Sequence, residues 1–341
     1  IVISERKILL IGGAGYVGTV LTSHLLKNGY EVRVLDNFIY DNEFAIQHYL
    51  GDQDYEFIKG DITSEADLQK AVKGVTDVVV LAGLVGDPIT KKYPDVSEKI
   101  NTKGVQNCID FLNGQGLDKV IFISTCSNYG LIGEDELADE NFKLNPLSLY
   151  ATAKVEAEKH LLGMKKDADF TGTVLRFATA FGLSPRMRFD LTVSQFTRDL
   201  YFGKELVVYD EHTWRPYCHV LDFARLVERV LSAERSKVNF EVFNAGDEKN
   251  NFTKKMIVDE ILKHNPEGNV KYTGKGDDPR NYRVSFEKVK TVLDFEPEFT
   301  VEEGIEELIE AFEIGAYSDV IENSKKYGNF EIKYDGASNN D

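Results

Sequence analysis

The chain has 341 residues, of which 42% are hydrophobic, so it can bury one large core or two smaller ones. Its net charge of −17 repels phosphate backbones and anionic lipids, so we expect no nucleic-acid or membrane partner. Cys108, Cys126 and Cys218 are too few and too far apart for a disulfide framework or a paired-cysteine zinc site. Residues 1–6 lack the basic and apolar regions of a signal peptide, and we therefore expect a cytoplasmic protein.

Short apolar runs alternate with segments of helical periodicity in the first half of the chain. The apolar runs predict strands at Lys7–Ile11, Glu31–Asp36, Tyr55–Gly60, Asp77–Ala82, Lys119–Ser124 and Gly172–Phe177. The periodic segments predict helices at Tyr16–Lys27, Glu65–Lys73, Val96–Leu112 and Leu149–Met164. This alternation is typical of the α/β class, and it predicts a Rossmann-like, doubly wound parallel sheet with helices on both faces.

The pattern becomes less regular after about Gly182. Helical spacing recurs at Leu191–Phe202, Val220–Leu231, Lys254–Lys263 and Val301–Phe312, and strand-like runs lie at Glu205–Tyr209 and Glu241–Ala245. We predict a Rossmann domain over residues 1–181, to which 213–246 returns, and a smaller α/β lobe over 182–322 that mainly binds substrate. The polar, Asn-rich composition of residues 323–341 predicts a poorly packed tail.

A glycine-rich loop follows the first predicted strand. Gly12, Gly15 and Gly18 are spaced as in dinucleotide-binding loops, and an amphipathic segment follows them. Glycines allow a tight turn and let a pyrophosphate approach the amides and positive dipole of a helix N-terminus. The loop therefore predicts a dinucleotide site. A glycine-rich turn without a ligand is the alternative, whereas a phosphate-loop NTPase is disfavoured because no Gly-Lys-Ser/Thr follows.

Asp36 ends the second predicted strand, 18 residues beyond Gly18. At this place an acidic side chain can accept hydrogen bonds from both hydroxyls of the adenosine ribose, and its charge would repel a 2′-phosphate. We therefore predict NAD rather than NADP as the cofactor. The alternative is that Asp36 only caps a turn.

Tyr150 and Lys154 lie four residues apart in a predicted helix and therefore share one face. A free phenol has a pKa of about 10, so it becomes a useful base near neutrality only where positive charge favours the phenolate. Lys154 supplies one such charge and an oxidised nicotinamide would supply another. Tyr150 is thus the predicted general base for oxidation of a hydroxyl, and the acid for the reverse reaction.

Thr125 follows the strand predicted at Lys119–Ser124. Ligands of open parallel sheets bind beyond the carboxyl ends of the strands, so the Thr125 hydroxyl can hold the reacting oxygen beside Tyr150. The alternative is a hydroxyl-rich turn. Thr125, Tyr150 and Lys154 are our predicted catalytic residues.

With these motifs the chain resembles an extended short-chain dehydrogenase/reductase of the nucleotide-sugar epimerase/dehydratase family, UDP-glucose 4-epimerase-like, from about Lys7 to Leu308. The matching segments are Gly12–Gly18, Asp36–Asn37, Gly60–Ile62, Leu81–Gly83, Asn101–Gly104, Ser124–Gly130, Tyr150–Lys154 and Arg215–Val220. The resemblance implies NAD and a nucleoside-diphosphate sugar. It implies cofactor contacts at Gly12, Gly15, Tyr16, Val17, Gly18, Asp36, Asn37, Asp61, Ile62, Leu81, Ala82, Gly83, Asn101, Tyr150 and Lys154.

Two departures from the family pattern narrow the expected chemistry. The family's 4,6-dehydratases carry Asp-Glu after the catalytic threonine, whereas this chain has Cys126 and Ser127 there, which disfavours elimination of water. Thr179 stands where many relatives carry a substrate-binding asparagine. We expect Thr125 and Thr179 to contact the substrate.

Arginines could hold the substrate diphosphate in this acidic chain. The resemblance implies that Arg215 and Arg280 do so, because a guanidinium can grip a phosphate through two hydrogen bonds. Arg186 and Arg188 are weaker candidates, for which a solvated or salt-bridged surface role is at least as plausible. His212 and His219 belong to no compact ligand cluster, so we expect no metal.

The leading hypothesis is a 4-epimerase that oxidises C4 of a nucleotide sugar to a transient ketone and returns the hydride to the opposite face. A net 4-dehydrogenase or 4-reductase with the same catalytic residues is the runner-up. A noncatalytic NAD-sensing protein is a third possibility, which the complete catalytic set disfavours. The helices predicted at Val96–Leu112 and Leu149–Met164 resemble those of a four-helix dimer contact in this family, so we expect a homodimer or higher homo-oligomer.

Overall fold

The computed structural model describes residues 6–274 and 276–335. Its centre is a seven-stranded sheet in the order β10-β6-β5-β4-β1-β2-β3, in which every neighbouring pair is parallel. In chain order, the strands of this sheet and of the two smaller sheets are β1 (Lys7–Ile11), β2 (Glu31–Asp36), β3 (Tyr55–Lys59), β4 (Asp77–Val80), β5 (Lys119–Thr125), β6 (Thr171–Phe177), β7 (Thr179–Phe181), β8 (Leu206–Tyr209), β9 (Trp214–His219), β10 (Glu241–Ala245), β11 (Asn251–Thr253) and β12 (Val270–Thr273). This order is that of a doubly wound fold, as predicted.

Helices cover both faces of the main sheet. In chain order, the α-helices of the described residues are α1 (Tyr16–Lys27), α2 (Glu65–Val72), α3 (Asp87–Lys92), α4 (Pro94–Ser97), α5 (Val105–Leu112), α6 (Leu149–Gly163), α7 (Thr192–Tyr201), α8 (Val220–Ser232), α9 (Arg235–Val238), α10 (Lys254–His264), α11 (Glu287–Leu293) and α12 (Val301–Glu313). The predicted helix at Val96–Leu112 is α4 and α5 joined by a π-helical segment, Glu98–Gly104.

The alternation of side chains along β1 shows how the two faces are filled. Ile8 and Leu10 belong to one buried cluster, with α1 and α8, whereas Leu9 and Ile11 belong to the other, with α2, α5 and α6. Successive side chains of a strand point to opposite faces, and a strand buried on both faces is therefore apolar throughout. This is why the six predicted strands of the first half lie within two residues of their observed bounds.

Later parts of the chain also pack on the main sheet, where β10 pairs with β6 at the edge and α8 packs against α1. Strands β11, β9 and β7 form a second sheet, and β12 pairs with β8. Strand β9, which lies in the 213–246 segment expected to return, belongs to this second sheet, so that segment is shared between the two parts. No helix of the described ranges is long and apolar enough to cross a membrane.

The expectation of a poorly packed tail is wrong for residues 327–329, which are buried, whereas most other residues of 323–335 are exposed. Tyr327 and Asn329 are buried, at 6% and 8% exposure. The Phe189 amide donates to the Tyr327 carbonyl (2.7 Å), and the Lys333 amide donates to the Ile39 carbonyl (2.8 Å). Composition gave no sign of this packing because it is made by a few buried side chains and by backbone hydrogen bonds. Residues 336–341 lie outside the described part.

Candidate active site

A cavity of about 1230 Å³ lies beyond the carboxyl ends of β1, β2, β4, β5 and β6. A site for one small ligand usually measures about 300–1,000 Å³, so this cavity has room for two ligands side by side. We call the end of the cavity that is lined by the glycine loop and Asp36 the cofactor half. The end around Arg215 and Arg280 is called the substrate half, and Thr125, Tyr150 and Lys154 line the cavity between them.

The three glycines of the loop have different structural roles. Gly12 has φ +82°, and a Cβ there would lie 2.5 Å from Ala82 Cα. A Cβ on Gly18 would lie 2.4 Å from the Gly13 carbonyl oxygen. At Gly15, in contrast, the nearest atom would be the Gly12 carbonyl oxygen at 3.9 Å. The fold thus explains Gly12 and Gly18, whereas Gly15 leaves open space at the N-terminus of α1 that suits a pyrophosphate.

Asp36 is fixed at the end of β2 by backbone amides. Its Oδ2 accepts from Ala14 N (3.0 Å) and its Oδ1 accepts from Phe38 N (2.9 Å). Burial raises the pKa of Asp36, while these hydrogen bonds partly offset the rise. Because a carboxylate oxygen has two lone pairs, both oxygens can still accept from ribose hydroxyls. The residues present therefore fit the adenosine and diphosphate parts of NAD.

Not all predicted cofactor residues reach the cavity. Tyr16, Val17, Asn37, Ile62, Leu81, Ala82 and Gly83 line it. Asp61 stands between two lining residues, Gly60 and Ile62, and its partly buried carboxylate accepts from Asn37 Nδ2 (3.0 Å) and Thr63 N (2.8 Å). Asn101 is buried in the π-helical segment, and its amide exchanges hydrogen bonds with the Leu84 backbone at 2.7 and 2.9 Å. Asp61 and Asn101 therefore position the wall.

The local structure brings the three predicted catalytic residues together. The Ser148 hydroxyl caps α6 by accepting from Ala151 N, which places Tyr150 in the first turn and Lys154 one turn later. Thr125 is the last residue of β5, 8% exposed, and its hydroxyl accepts from Ser127 N (3.1 Å). Lys154 Nζ donates to the Ile123 carbonyl (2.8 Å) and lies 5.9 Å from the centre of the Tyr150 ring.

Without a bound cofactor, the charges and burial around this cluster disfavour the phenolate form of Tyr150. Burial raises the pKa of Tyr150, and the carboxylate of Asp87 raises it further, while Arg188 and Arg280 act in the opposite direction. Burial lowers the pKa of Lys154 to about 8. Further positive charge close to the phenol is therefore needed before Tyr150 can act as a base at neutral pH.

The arginines of the substrate half already have a carboxylate partner. Arg280 donates to Asp278 through Nε (2.8 Å) and Nη2 (2.7 Å), and Arg215 Nη2 lies 3.1 Å from the same carboxylate. Burial raises the pKa of Asp278, but the two guanidiniums outweigh it and the net pKa lies well below the usual range. Arg280 Nη1 also reaches Asp87 (2.9 Å) and Ser127 Oγ (3.3 Å). A diphosphate bound at this place would have to share these guanidiniums with Asp278.

Two further residues that the sequence singles out, Thr179 and Cys126, differ in their access to the cavity. Thr179 lies in β7, pairs with Tyr217 of β9 and lines the cavity. Cys126 is 1% exposed, its thiol donates to the Arg176 carbonyl (3.2 Å), and burial raises its pKa above the usual range. Cys126 is thus a packed thiol that supplies no acid-base group beside Thr125. The described residues contain no cluster of His, Cys, Asp or Glu that could hold a metal.

The surface location considered for Arg186 and Arg188 is wrong, although Arg188 forms a salt bridge with Asp190, as that alternative allowed. Their exposures are 2% and 7%, and both line the cavity. The sequence argument also missed Asp87, which begins α3 and has a buried Oδ1 without a hydrogen-bond partner among the described residues. Asp87 follows β4 at the carboxyl edge of the sheet, and this position was the signal that could have identified it.

Comparisons with known proteins agree with this geometry. The profile of the NAD dependent epimerase/dehydratase family matches residues 8–246. UDP-glucuronic acid decarboxylase 1 of Danio rerio is 26% identical over 318 residues, covering 90% of this chain and 73% of the relative.

Two solved structures are also similar. The UDP-glucuronic acid 4-epimerase of Bacillus cereus, in complex with UDP-glucuronic acid and NAD, is 25% identical with a TM-score of 0.80, covering 91% of this chain and 99% of that one. The dTDP-glucose 4,6-dehydratase of Bacillus anthracis, in complex with NAD, is 25% identical with a TM-score of 0.79, covering 91% of this chain and 97% of that one.

The fold and the site define an NAD-dependent enzyme class built on a Rossmann-like domain. The family profile matches more than half of the chain, and the chain therefore belongs to the NAD dependent epimerase/dehydratase family. The predicted resemblance, the fold class and NAD as cofactor are confirmed. The similar proteins catalyse different reactions on nucleotide sugars, so the family leaves the net reaction of this chain open.

Proposed function

We propose that the protein oxidises C4 of a nucleoside-diphosphate sugar to a ketone and returns the hydride to the opposite face, as a 4-epimerase. The observation that carries this proposal is that Thr125, Tyr150 and Lys154 line one cavity together with the open face of Gly15. Bound NAD would supply the hydride acceptor and a positive charge close to the phenol. That charge favours the phenolate that burial and Asp87 disfavour.

Tyr150, Thr125 and Lys154 have different roles in the proton transfer. Tyr150 takes the proton of the C4 hydroxyl, and Thr125 holds the C4 oxygen in line with it. Lys154, held by the Ile123 carbonyl, keeps a cation beside the phenol and can give a hydrogen bond to a ribose hydroxyl of the cofactor. When the ketone is reduced again, Tyr150 returns the proton to the oxygen.

The substrate diphosphate would bind to Arg215 and Arg280. Both line the cavity, and Arg280 also reaches Ser127 Oγ, close to the end of β5. Thr179 lines the same end. A 4,6-dehydratase remains disfavoured because Cys126 and Ser127 supply no carboxyl pair for the elimination of water.

The proposal is tested by incubating the purified protein with UDP-glucose and with UDP-glucuronic acid. We expect NMR to show inversion at C4, with reduced nicotinamide appearing only transiently in the absorbance spectrum. Stoichiometric reduced nicotinamide with a released ketone would instead support the net dehydrogenase or reductase. Bound NAD without any turnover, unchanged in Tyr150→Phe, would support the noncatalytic NAD sensor.

We also propose that the enzyme acts in the cytoplasm as a homodimer, in polysaccharide biosynthesis. The expected contact uses the outer faces of α5 and α6, whose exposed side chains include Asn107, Asp110, Glu156 and Lys159 and, at the start of α6, Leu149. The molar mass in solution tests this, and a monomer at micromolar concentration would contradict it.

A further inference from the structure

Arg186 is a buried cation that lines the cavity without a salt bridge to any described carboxylate. Its side chain donates to the Met187 carbonyl (Nη1, 3.2 Å), the Gly328 carbonyl (Nη2, 3.0 Å) and Asn329 Oδ1 (Nη2, 3.2 Å). All three acceptors are neutral. A guanidinium buried in this way is stabilised if a ligand brings negative charge into the cavity beside it.

The neighbouring charges do not neutralise Arg186. Asp190, the nearest acidic group on the same segment, is paired with Arg188 through two hydrogen bonds of 3.0 and 2.6 Å, and it also accepts from Asn329 N (3.2 Å). Burial, together with repulsion from Arg188, lowers the pKa of Arg186 to about 10. The negative charges of Asp190 and Asp36 act at longer range and partly offset this decrease. The pair of arginines thus carries one positive charge more than Asp190 can balance.

The surroundings of Arg186 belong to the cofactor half of the cavity. Its amide donates to Ser184 Oγ (3.2 Å), and that hydroxyl donates to the Tyr16 carbonyl (2.7 Å) in the first turn of α1. The guanidinium carbon lies 5.5 Å from the centre of the Tyr40 ring, which follows β2. Arg186 is therefore tied to the two segments that flank the predicted cofactor diphosphate, whereas Arg215 and Arg280 are tied to Asp278 in the substrate half.

The C-terminal segment that holds Arg186 crosses the same half. We call residues 327–335 the C-terminal strap. Its Asn329 Nδ2 donates to the Val85 carbonyl after β4 (3.1 Å), its Lys333 amide donates to the Ile39 carbonyl after β2, and Phe330 lines the cavity. The strap thus contacts the loops that follow β2 and β4, and its Gly328 and Asn329 orient Arg186 through hydrogen bonds.

We propose that Arg186 binds the diphosphate of NAD opposite the glycine loop, and that Gly328 and Asn329 of the C-terminal strap position its guanidinium. This inference rests on the use of NAD as cofactor and adds a contact from outside the glycine loop. It explains why part of a tail whose composition predicts poor packing lies against the cavity. Asn329 acts through Arg186 and is a positioning residue.

Equilibrium binding to the full chain, freed of bound nucleotide, tests the proposal without any turnover. For Arg186→Gln we expect the NAD Kd to rise about 10- to 100-fold, the range for loss of charge-assisted hydrogen bonds. The Kd for UDP, which probes the substrate half, should stay within about two-fold. Arg229→Gln on the exposed face of α8 is the matched control, and it should change neither Kd.

Asn329→Ala keeps the charge of Arg186 and removes one acceptor that orients it. We expect a smaller rise of the NAD Kd, about three-fold, again without a change for UDP, and this variant decides the question if Arg186→Gln does not fold. An unchanged NAD Kd in both variants would overturn the proposal, and so would weaker binding of UDP with NAD unaffected. Because no catalysis is measured, these results are independent of whether the enzyme proves to be an epimerase.

Discussion

The two halves of the cavity are built in different ways. The cofactor half is formed mainly by short segments that follow β1, β2 and β4, with room for a ligand at Gly15, and Arg186 reaches it from a later segment. The substrate half is formed by charged side chains from distant segments, with Arg215 and Arg280 sharing Asp278. A backbone surface can be ready for its ligand at little cost, whereas paired side chains must exchange a partner when an anion binds. Substitutions in the two halves should therefore have separable effects.

The largest effect is expected at the boundary between the halves. Tyr150→Phe removes the proton-transferring hydroxyl, so turnover of the nucleotide sugar should fall about 10²- to 10⁴-fold. The Kd values for NAD and UDP should remain nearly unchanged, because the ring still fills its place. Steady-state kinetics measures turnover and calorimetry measures the Kd values. Tyr272→Phe in the distant strand β12 is the control. Near-normal turnover in Tyr150→Phe would remove this tyrosine from the mechanism.

Within the cofactor half, Gly12 and Gly15 should respond differently to alanine. Gly15→Ala should fold normally, since its Cβ meets open space, but should raise the NAD Kd about 10-fold or more by obstructing the diphosphate. Gly12→Ala should lose about 1–3 kcal/mol of unfolding free energy, because of its positive φ and the contact with Ala82. Chemical denaturation and NAD titration compare the two. Equal losses of NAD affinity and stability in both variants would contradict this division of roles.

Asp87 links the charges of the substrate half to Tyr150, the proposed catalytic base. Its carboxylate raises the pKa of Tyr150, so Asp87→Asn should lower that pKa. The phenolate then forms at lower pH, and the acidic limb of the kcat/KM profile for sugar oxidation should move down by up to about one pH unit. Asp95→Asn, a substitution in the adjacent helix α4, is the control. A shift towards higher pH would contradict the assigned sign.

The smallest effect is expected at Asp278. Asp278→Asn removes the carboxylate that competes with a diphosphate for Arg215 and Arg280. UDP should therefore bind about two- to five-fold more tightly, in keeping with the modest strength of partly exposed ion pairs. The affinity for NAD should not change. Calorimetric titrations measure both values, and weaker UDP binding would mean that Asp278 is needed to orient the arginines.

The same contrast explains what the sequence could predict. Gly12 and Asp36 lie at fixed places relative to apolar strands, so local pattern was enough to assign them to the cofactor half. Arg186 could not be assigned in this way, because its burial depends on Gly328 and Asn329, more than 140 residues along the chain. The pairing of Arg215 with Asp278 likewise depends on how β9 meets a loop of the C-terminal lobe. Long-range packing of charged side chains leaves little periodic signal.

The central claim is that hydride leaves C4 of the sugar and returns to the same carbon. A UDP-sugar carrying deuterium at C4 tests it most directly, with the product followed by NMR and mass spectrometry. We expect the C4-inverted sugar to retain the deuterium at C4, with no exchange into solvent. Inversion with loss of the deuterium to water, or a product altered at another carbon with C4 untouched, would contradict the account.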